Sequence, residues 1–261
     1  MDKIVNYKEE TVIIQNGTHQ LYGILTVPED FPSSGAASFP LIIGCHGFDG
    51  TYKSKLDYAQ YMARGGAAFY AFDFYGGGRE TMSGGTMEEM SVLTEADDLL
   101  AVIRHFREDP RIDAGRIALW GHSQGGYVAS YVAGTRPELV NSMILLYPAY
   151  VIRDHVRSIQ EKEGSIPEYY EQWDCRLGKI YGEDVLSHDI YEVISHFSGN
   201  VLLVHGEQDD MVPISYSEKA IEIFPNVRWY WMAGAGHGFE GEDREKMKEL
   251  AADFLKDISF M

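Results

Sequence analysis

"ALWGHSQGGYVAS", residues 118–130, opens as a continuous apolar run, passes a serine set between glycines, and leaves as a helical period. An apolar run without alternation suits a strand covered on both faces, as in parallel sheets. Ser123 stands at the corner, with Gly121 two residues before it and Gly125 two after. The pattern G-x-S-x-G carries little weight by itself, because a glycine-rich chain produces it by chance. Its setting carries more. Strand, tight turn and helix together make a nucleophile elbow, where small residues let the two arms pack closely while the serine holds a strained backbone angle. A serine acting only as a helix N-cap needs no glycine on both sides.

Similar runs recur along the chain: "PLIIGCHG", "AAFYAFDF", "SMILLYPA", "NVLLVHG" and "VRWYWMAGAG". Between and after them lie helical periods, "KSKLDYAQYMARGG", "MSVLTEADDLLAVIRHFRED", "SYSEKAIEIF" and "EDREKMKELAADFLKDI", so the strands are expected to be parallel with helices on both faces. Ahead of them "EETVIIQNGTHQLYGILTV" alternates around Asn16-Gly17, a turn pair that predicts an antiparallel hairpin. The expectation is one α/β domain over 1–261, with a mostly parallel eight-stranded sheet and an N-terminal hairpin. Residues 149–190 break the alternation. Polar, tyrosine-rich and without strand character, they read as a lid inserted in that domain.

Composition excludes several partners. Lys+Arg 22 against Asp+Glu 40 gives a net charge of -18, which repels a phosphate backbone and leaves no basic stripe for nucleic acid. The N-terminal "MDKIVNYKEE" lacks the apolar core of a signal peptide, and no apolar run spans a bilayer; a cytoplasmic protein with no membrane partner is expected. Cys45 and Cys175 have no metal or redox spacing and read as free thiols.

In an open α/β sheet ligands bind beyond the carboxyl ends of the strands. The tails there read "HGFDG", "DFYGGG", "GHSQGG", "YPAY", "HGEQDDMVP" and "AGAGHGF". A serine hydroxyl attacks only when an imidazole takes its proton, and the imidazole needs an acid to fix its tautomer. The chain order serine, acid, histidine is met by Ser123, Asp209 and His237. Of nine histidines, only His237 stands in a glycine-rich loop after the last strand. His46, His122 and His205 end strands and are expected to shape loops by hydrogen bonding; His19, His105, His155, His188 and His196 read as surface or packing residues. Asp209 is preferred to Asp210, which is expected to face solvent ahead of Val212-Pro213. Oxyanion donors are expected from the backbone N–H groups of Phe48 and Gln124. "GGGRETMSGG" lacks G-x-G-x-x-G and reads as a rim loop, and without H-E-x-x-H or a cysteine cluster neither a metal nor a cofactor is expected.

Together "HGF", "FDFYGGG", "EMSVLTEADDLLAVI", "GHSQGGYVAS", "IYEVISHFSGNVLLVHGEQDDMVP" and "GAGHGF" resemble the α/β-hydrolase superfamily over essentially the whole chain. Within it they are most similar to the intracellular bacterial cinnamoyl (feruloyl) esterases. That resemblance implies a lid carrying an Asp and a Tyr that hydrogen-bond the phenolic hydroxyl of the acyl group. The matching positions are Tyr181, in "LGKIY", and Asp154, with His155 as the alternative to Asp154. The lid middle "QEKEGSIPEYYEQWDC" and the loop "GGGRETMSGG" depart from the family pattern. Lid aromatics Tyr150, Tyr169, Tyr170, Trp173 and Tyr181 point to an apolar or aromatic acyl pocket.

The expected function is a serine carboxylester hydrolase that forms an acyl-enzyme on a small hydroxycinnamate, aromatic or short-chain ester, with homodimerisation left open. Three rivals remain: a peptidase or amidase related to the prolyl-oligopeptidase catalytic domain, ranked lower because no propeller precedes it here; a thioesterase; and a catalytically silent ligand-binding homologue.

Overall fold

The computed structural model describes residues 6–35 and 37–261. β1 (Tyr7–Asn16) and β2 (His19–Pro28) form the expected hairpin, but Asn16 pairs with His19, so the two-residue loop is Gly17-Thr18. Gly17 takes φ +56°, a value glycine adopts without cost.

The apolar runs become β3 (Phe39–Cys45), β4 (Ala68–Phe72), β5 (Ile112–His122) and β6 (Ser142–Leu146). They are connected through α1 (Leu56–Arg64), α2 (Val92–Arg107) and α3 (Gln124–Thr135). Residues 149–190 hold α4 (Ile152–Glu163), a small hairpin of β7 (Tyr169–Gln172) and β8 (Cys175–Gly178), and α5 (Lys179–Leu186). The chain then returns through α6 (Ile190–Ile194) to β9 (Asn200–Gly206), α7 (Ser215–Ile221), β10 (Val227–Met232) and α8 (Gly241–Asp257).

The strands in 149–190 correct the expectation of none. β7 and β8 pair antiparallel across Trp173-Asp174, both left-handed at φ +49° and +58°. Two-residue turns of this kind are normally announced by Asn-Gly or Asp-Gly, and Trp-Asp gives no such signal.

Among the described residues the main sheet has eight strands in the order β1-β2-β4-β3-β5-β6-β9-β10. β1, β2 and β4 pair antiparallel; from β4 to β10 every pairing is parallel. Both faces are covered, which explains the unbroken apolar runs. In β3, Leu41 and Ile43 join the core under α2 and α3, while Ile42 joins the core under α1 and α8. Ser91 starts α2 with a reciprocal capping box to Thr94, which fixes where that helix begins. No helix among the described residues is long and apolar enough to cross a membrane. Cys45 and Cys175 are both buried and unpaired.

The chain leaves β3 toward β4 on one side and comes back to β5 on the other. Such a reversal opens a crevice between the loops after the two strands. The start of α3 is pressed into this place. A Cβ on Gly125 would lie 2.2 Å from the His46 carbonyl oxygen and 2.4 Å from that of Cys45, both main-chain atoms. Gly125→Ala is therefore expected to cost about 3 kcal/mol by forcing α3 away from β3, read as a lowered midpoint in thermal unfolding.

Candidate active site

Ser123 follows β5 with φ +51° and ψ -124°, a conformation that costs roughly 1–3 kcal/mol and persists only where neighbours impose it. They do so here. Its N–H donates to the Leu146 carbonyl at 3.0 Å, and its own carbonyl accepts from the N–H groups of Gly126, Tyr127 and Ala149. The hydroxyl makes no cap bond to α3. It turns instead to His237, whose Nε2 lies 3.0 Å from Ser123 Oγ.

His237 sits in the loop after β10, its ring packed on Tyr147 with centroids 4.6 Å apart. Its Nδ1 is 2.8 Å from Asp209 Oδ2. A proton held on Nδ1 by that carboxylate leaves the Nε2 lone pair facing the hydroxyl. Asp209 is itself fixed: Oδ1 accepts from the Met211 N–H at 3.0 Å and the Val212 N–H at 2.8 Å. Burial opposes ionisation of Asp209. Hydrogen bonds from His205, His237 and the Val212 N–H outweigh it and hold the carboxyl well below the usual range. Asp210 is exposed.

The three strand-ending histidines shape loops. His205 is fully buried, with Nε2 at 2.8 Å from the Val212 carbonyl and Nδ1 at 2.7 Å from Ser217 Oγ. His122 Nε2 accepts the Gly47 N–H at 3.1 Å. The Gly47 carbonyl accepts the Gly50 N–H at 3.0 Å and lies 2.8 Å from His46 Nδ1. That carbonyl and the Phe48 N–H belong to one planar peptide unit, so fixing the first aims the second. Arg79, from the glycine-rich loop, donates its backbone N–H and its guanidinium to Asp49, tying down the far side of this loop. The Gln124 N–H opens α3, where a helix leaves its donors without internal partners.

A narrow cavity of only about 10 Å³ lies over Ser123 and His237 and is lined by Phe48, Ile152, His155, Trp173, Tyr181 and Met211, among others. Phe48 meets Trp173 and Tyr181 edge-on, with centroids at 5.3 and 6.4 Å. The two lid residues expected from the resemblance fare differently. Tyr181 reaches the cavity but is fully buried, and its hydroxyl donates to Gln124 Oε1 at 2.7 Å. Asp154 does not reach it. Its carboxylate accepts from the Tyr216 hydroxyl at 2.7 Å in a separate cleft with Arg153, Arg157 and Lys219. A helix turns about 100° per residue, so α4 points Asp154 outward and brings His155 to the cavity.

Sequence reasoning missed Tyr147, Ile152, Met211 and Glu95. Glu95 is completely buried on α2 and accepts from Gln124 Nε2 at 2.9 Å; desolvation raises its pKa well above the ordinary carboxyl value. One signal was available for it. Glu95 falls three residues after Val92 and four before Leu99, on the apolar stripe of the helix. Among the described residues no cluster of three His, Cys, Asp or Glu side chains could hold a metal ion.

Residues 55–259 match the family model described as the prolyl oligopeptidase family. The chain belongs to that family. A Haemophilus influenzae protein named "Putative esterase/lipase" is 25% identical over 202 residues, covering 64% of this chain and 68% of that protein. Human prolyl endopeptidase FAP is 25% identical over 173 residues, 62% of this chain but only 21% of that enzyme. The match thus spans about a fifth of its length. Among solved structures, Est1E from Butyrivibrio proteoclasticus with ferulic acid bound superposes with a TM-score of 0.86 at 23% identity, covering 96% of this chain and 100% of Est1E. This member of the prolyl oligopeptidase family has the α/β-hydrolase fold, in a family of hydrolases with esterase relatives.

Proposed function

We propose that the chain is a serine carboxylester hydrolase. Ser123 attacks the ester carbonyl as His237 takes its proton, and the Phe48 and Gln124 N–H groups stabilise the oxyanion. His237 then protonates the departing alcohol. Water, activated by the same imidazole, releases the acyl group from Ser123. Asp209 holds the proton of His237 on Nδ1 throughout. The observation that carries this reading is the His237 ring, 3.0 Å from Ser123 Oγ and 2.8 Å from Asp209 Oδ2.

The substrate is a small ester with an aromatic or short acyl group, and residues 149–190 act as the lid that selects it. The cavity over Ser123 is narrow, and the rings of Phe48, Trp173 and Tyr181 that line it offer apolar faces to an acyl group. Ferulic acid bound to Est1E supports an acyl group of that kind. We place the enzyme in the cytoplasm. The family match and the FAP relative favour one rival, a prolyl amidase. Comparing methyl hydroxycinnamates, short nitrophenyl esters and prolyl amides decides between them. The esters are expected to exceed the amides in kcat/KM by about 100-fold; cleavage of the amides alone overturns the esterase reading.

A further inference from the structure

Beneath the oxyanion loop lies a buried lysine with no anion beside it. Lys55, in the short 3-10 turn ahead of α1, is 1% exposed, and no carboxylate among the described residues forms an ion pair with it. Its amine meets His122 Nδ1 instead. The charged and titratable groups around the pair are Cys45 at the end of β3 and His46 just past it, Tyr147 just past β6, Arg244 from α8, and His237 across the nucleophile.

The hydrogen bonds decide the protonation state. Gly47 N–H is a main-chain donor, so His122 Nε2, which accepts it at 3.1 Å, carries no proton. A neutral imidazole then holds its one proton on Nδ1. That N–H points at Lys55 Nζ, which can accept only through a lone pair, and an ammonium has none. Lys55 is therefore an uncharged amine. Desolvation, opposed by Cys45 and reinforced by the Arg244 charge, brings its pKa from 10.5 down to about 7, in keeping with this assignment.

We propose that Lys55 is a positioning residue for the oxyanion loop: its neutral amine fixes the tautomer of His122, and His122 holds the Gly47 N–H and with it the aim of the Phe48 N–H. The proposal rests on the esterase reading for its effect on turnover but not for the tautomer itself. When Lys55 takes up a proton it becomes a donor facing a donor. The imidazole must then yield its Nδ1 proton to Nε2, where it confronts the Gly47 N–H, and the loop is released. Catalysis thus loses its aimed oxyanion donor as Lys55 is protonated.

Nitrogen-15 NMR of the imidazoles in the wild-type protein tests this directly, with His122 assigned by its loss in His122→Gln. At pH 8.5 His122 is expected as the Nδ1–H tautomer, changing with a midpoint near 7. An Nε2–H tautomer at pH 8.5, or a Lys55 amine titrating in its ordinary range, overturns the proposal. Lys55→Met supplies the kinetic arm. The folded lysine pKa is depressed, so its stabilising contribution is complete above 10.5 and lost as pH falls toward 7; at pH 7 the methionine variant is expected to be at least as stable as wild type. Its kcat for a short nitrophenyl ester is expected to fall on the order of 10-fold with KM within about two-fold, since a displaced oxyanion donor is felt in the transition state. The acid limb of log kcat/KM should become shallower by about one unit of slope, because the group with a midpoint near 7 is gone. Unchanged kcat and an unchanged slope count against Lys55. Failure of the wild type to cleave any ester refutes the proposed function, while the His122 tautomer still decides the role of Lys55.

Discussion

Replacing Ser123 by alanine is expected to lower kcat for ester hydrolysis by about a million-fold while leaving the protein folded. The whole loss comes from one atom. In the proposed mechanism Oγ is the nucleophile, and His237 Nε2, 3.0 Å from it, is left with no hydroxyl to activate. Alanine meets the same backbone constraint as serine at φ +51°, so the strain at the elbow is unchanged and Leu146, Gly126, Tyr127 and Ala149 still grip the corner. The stability change reduces to one hydrogen bond, about 1 kcal/mol. A small rate above that in water should survive, because the Phe48 and Gln124 donors remain. Hydrolysis rates combined with labelling by a fluorophosphonate probe check this. Undiminished labelling of Ser123→Ala would put the nucleophile elsewhere.

Which parts of this site the sequence discloses depends on whether its signals are local. The parallel strands are legible because burial on both faces forces unbroken apolar runs, such as β4 and β6, in which every residue is buried. The elbow is legible for a similar reason: close packing of α3 against β3 and β5 demands glycine at 121 and 125, and glycine is visible in the sequence. Asp209 and His237 follow from strand order, since each stands just past the carboxyl end of a strand. Long-range pairs leave no such trace. Lys55 meets His122 across 67 positions, and Tyr181 meets Gln124 across 57; neither spacing means anything along the chain. Residues 149–190 are less legible for a third reason. In α4 an error of one position rotates a side chain by about 100°, enough to exchange Asp154 for His155. At Trp173-Asp174 the left-handed turn is made without glycine and begins on a tryptophan, so its sequence does not announce it.

Asp209→Asn should lower kcat/KM by about ten thousand-fold, with Ser123 and His237 both still present. The size follows from which way the new amide must face. Oδ1 of Asp209 accepts two main-chain donors, the N–H groups of Met211 and Val212, so the asparagine carbonyl has to take that position. Its NH2 group then occupies the place of Oδ2, 2.8 Å from His237 Nδ1. A donor there makes Nδ1 the acceptor and moves the imidazole proton to Nε2, where it points at Ser123 Oγ and blocks general-base action. His205 sharpens the conflict. Its Nε2, which donates toward the Val212 carbonyl, also lies 3.2 Å from Asp209 Oδ2, so the NH2 group meets a second donor. Partial recovery of activity at high pH, where hydroxide replaces the lost base, is the expected signature. The measurement is the pH profile of kcat/KM for wild type and variant alongside thermal unfolding; a loss below about ten-fold in a folded variant would mean that Asp209 does not set the tautomer of His237.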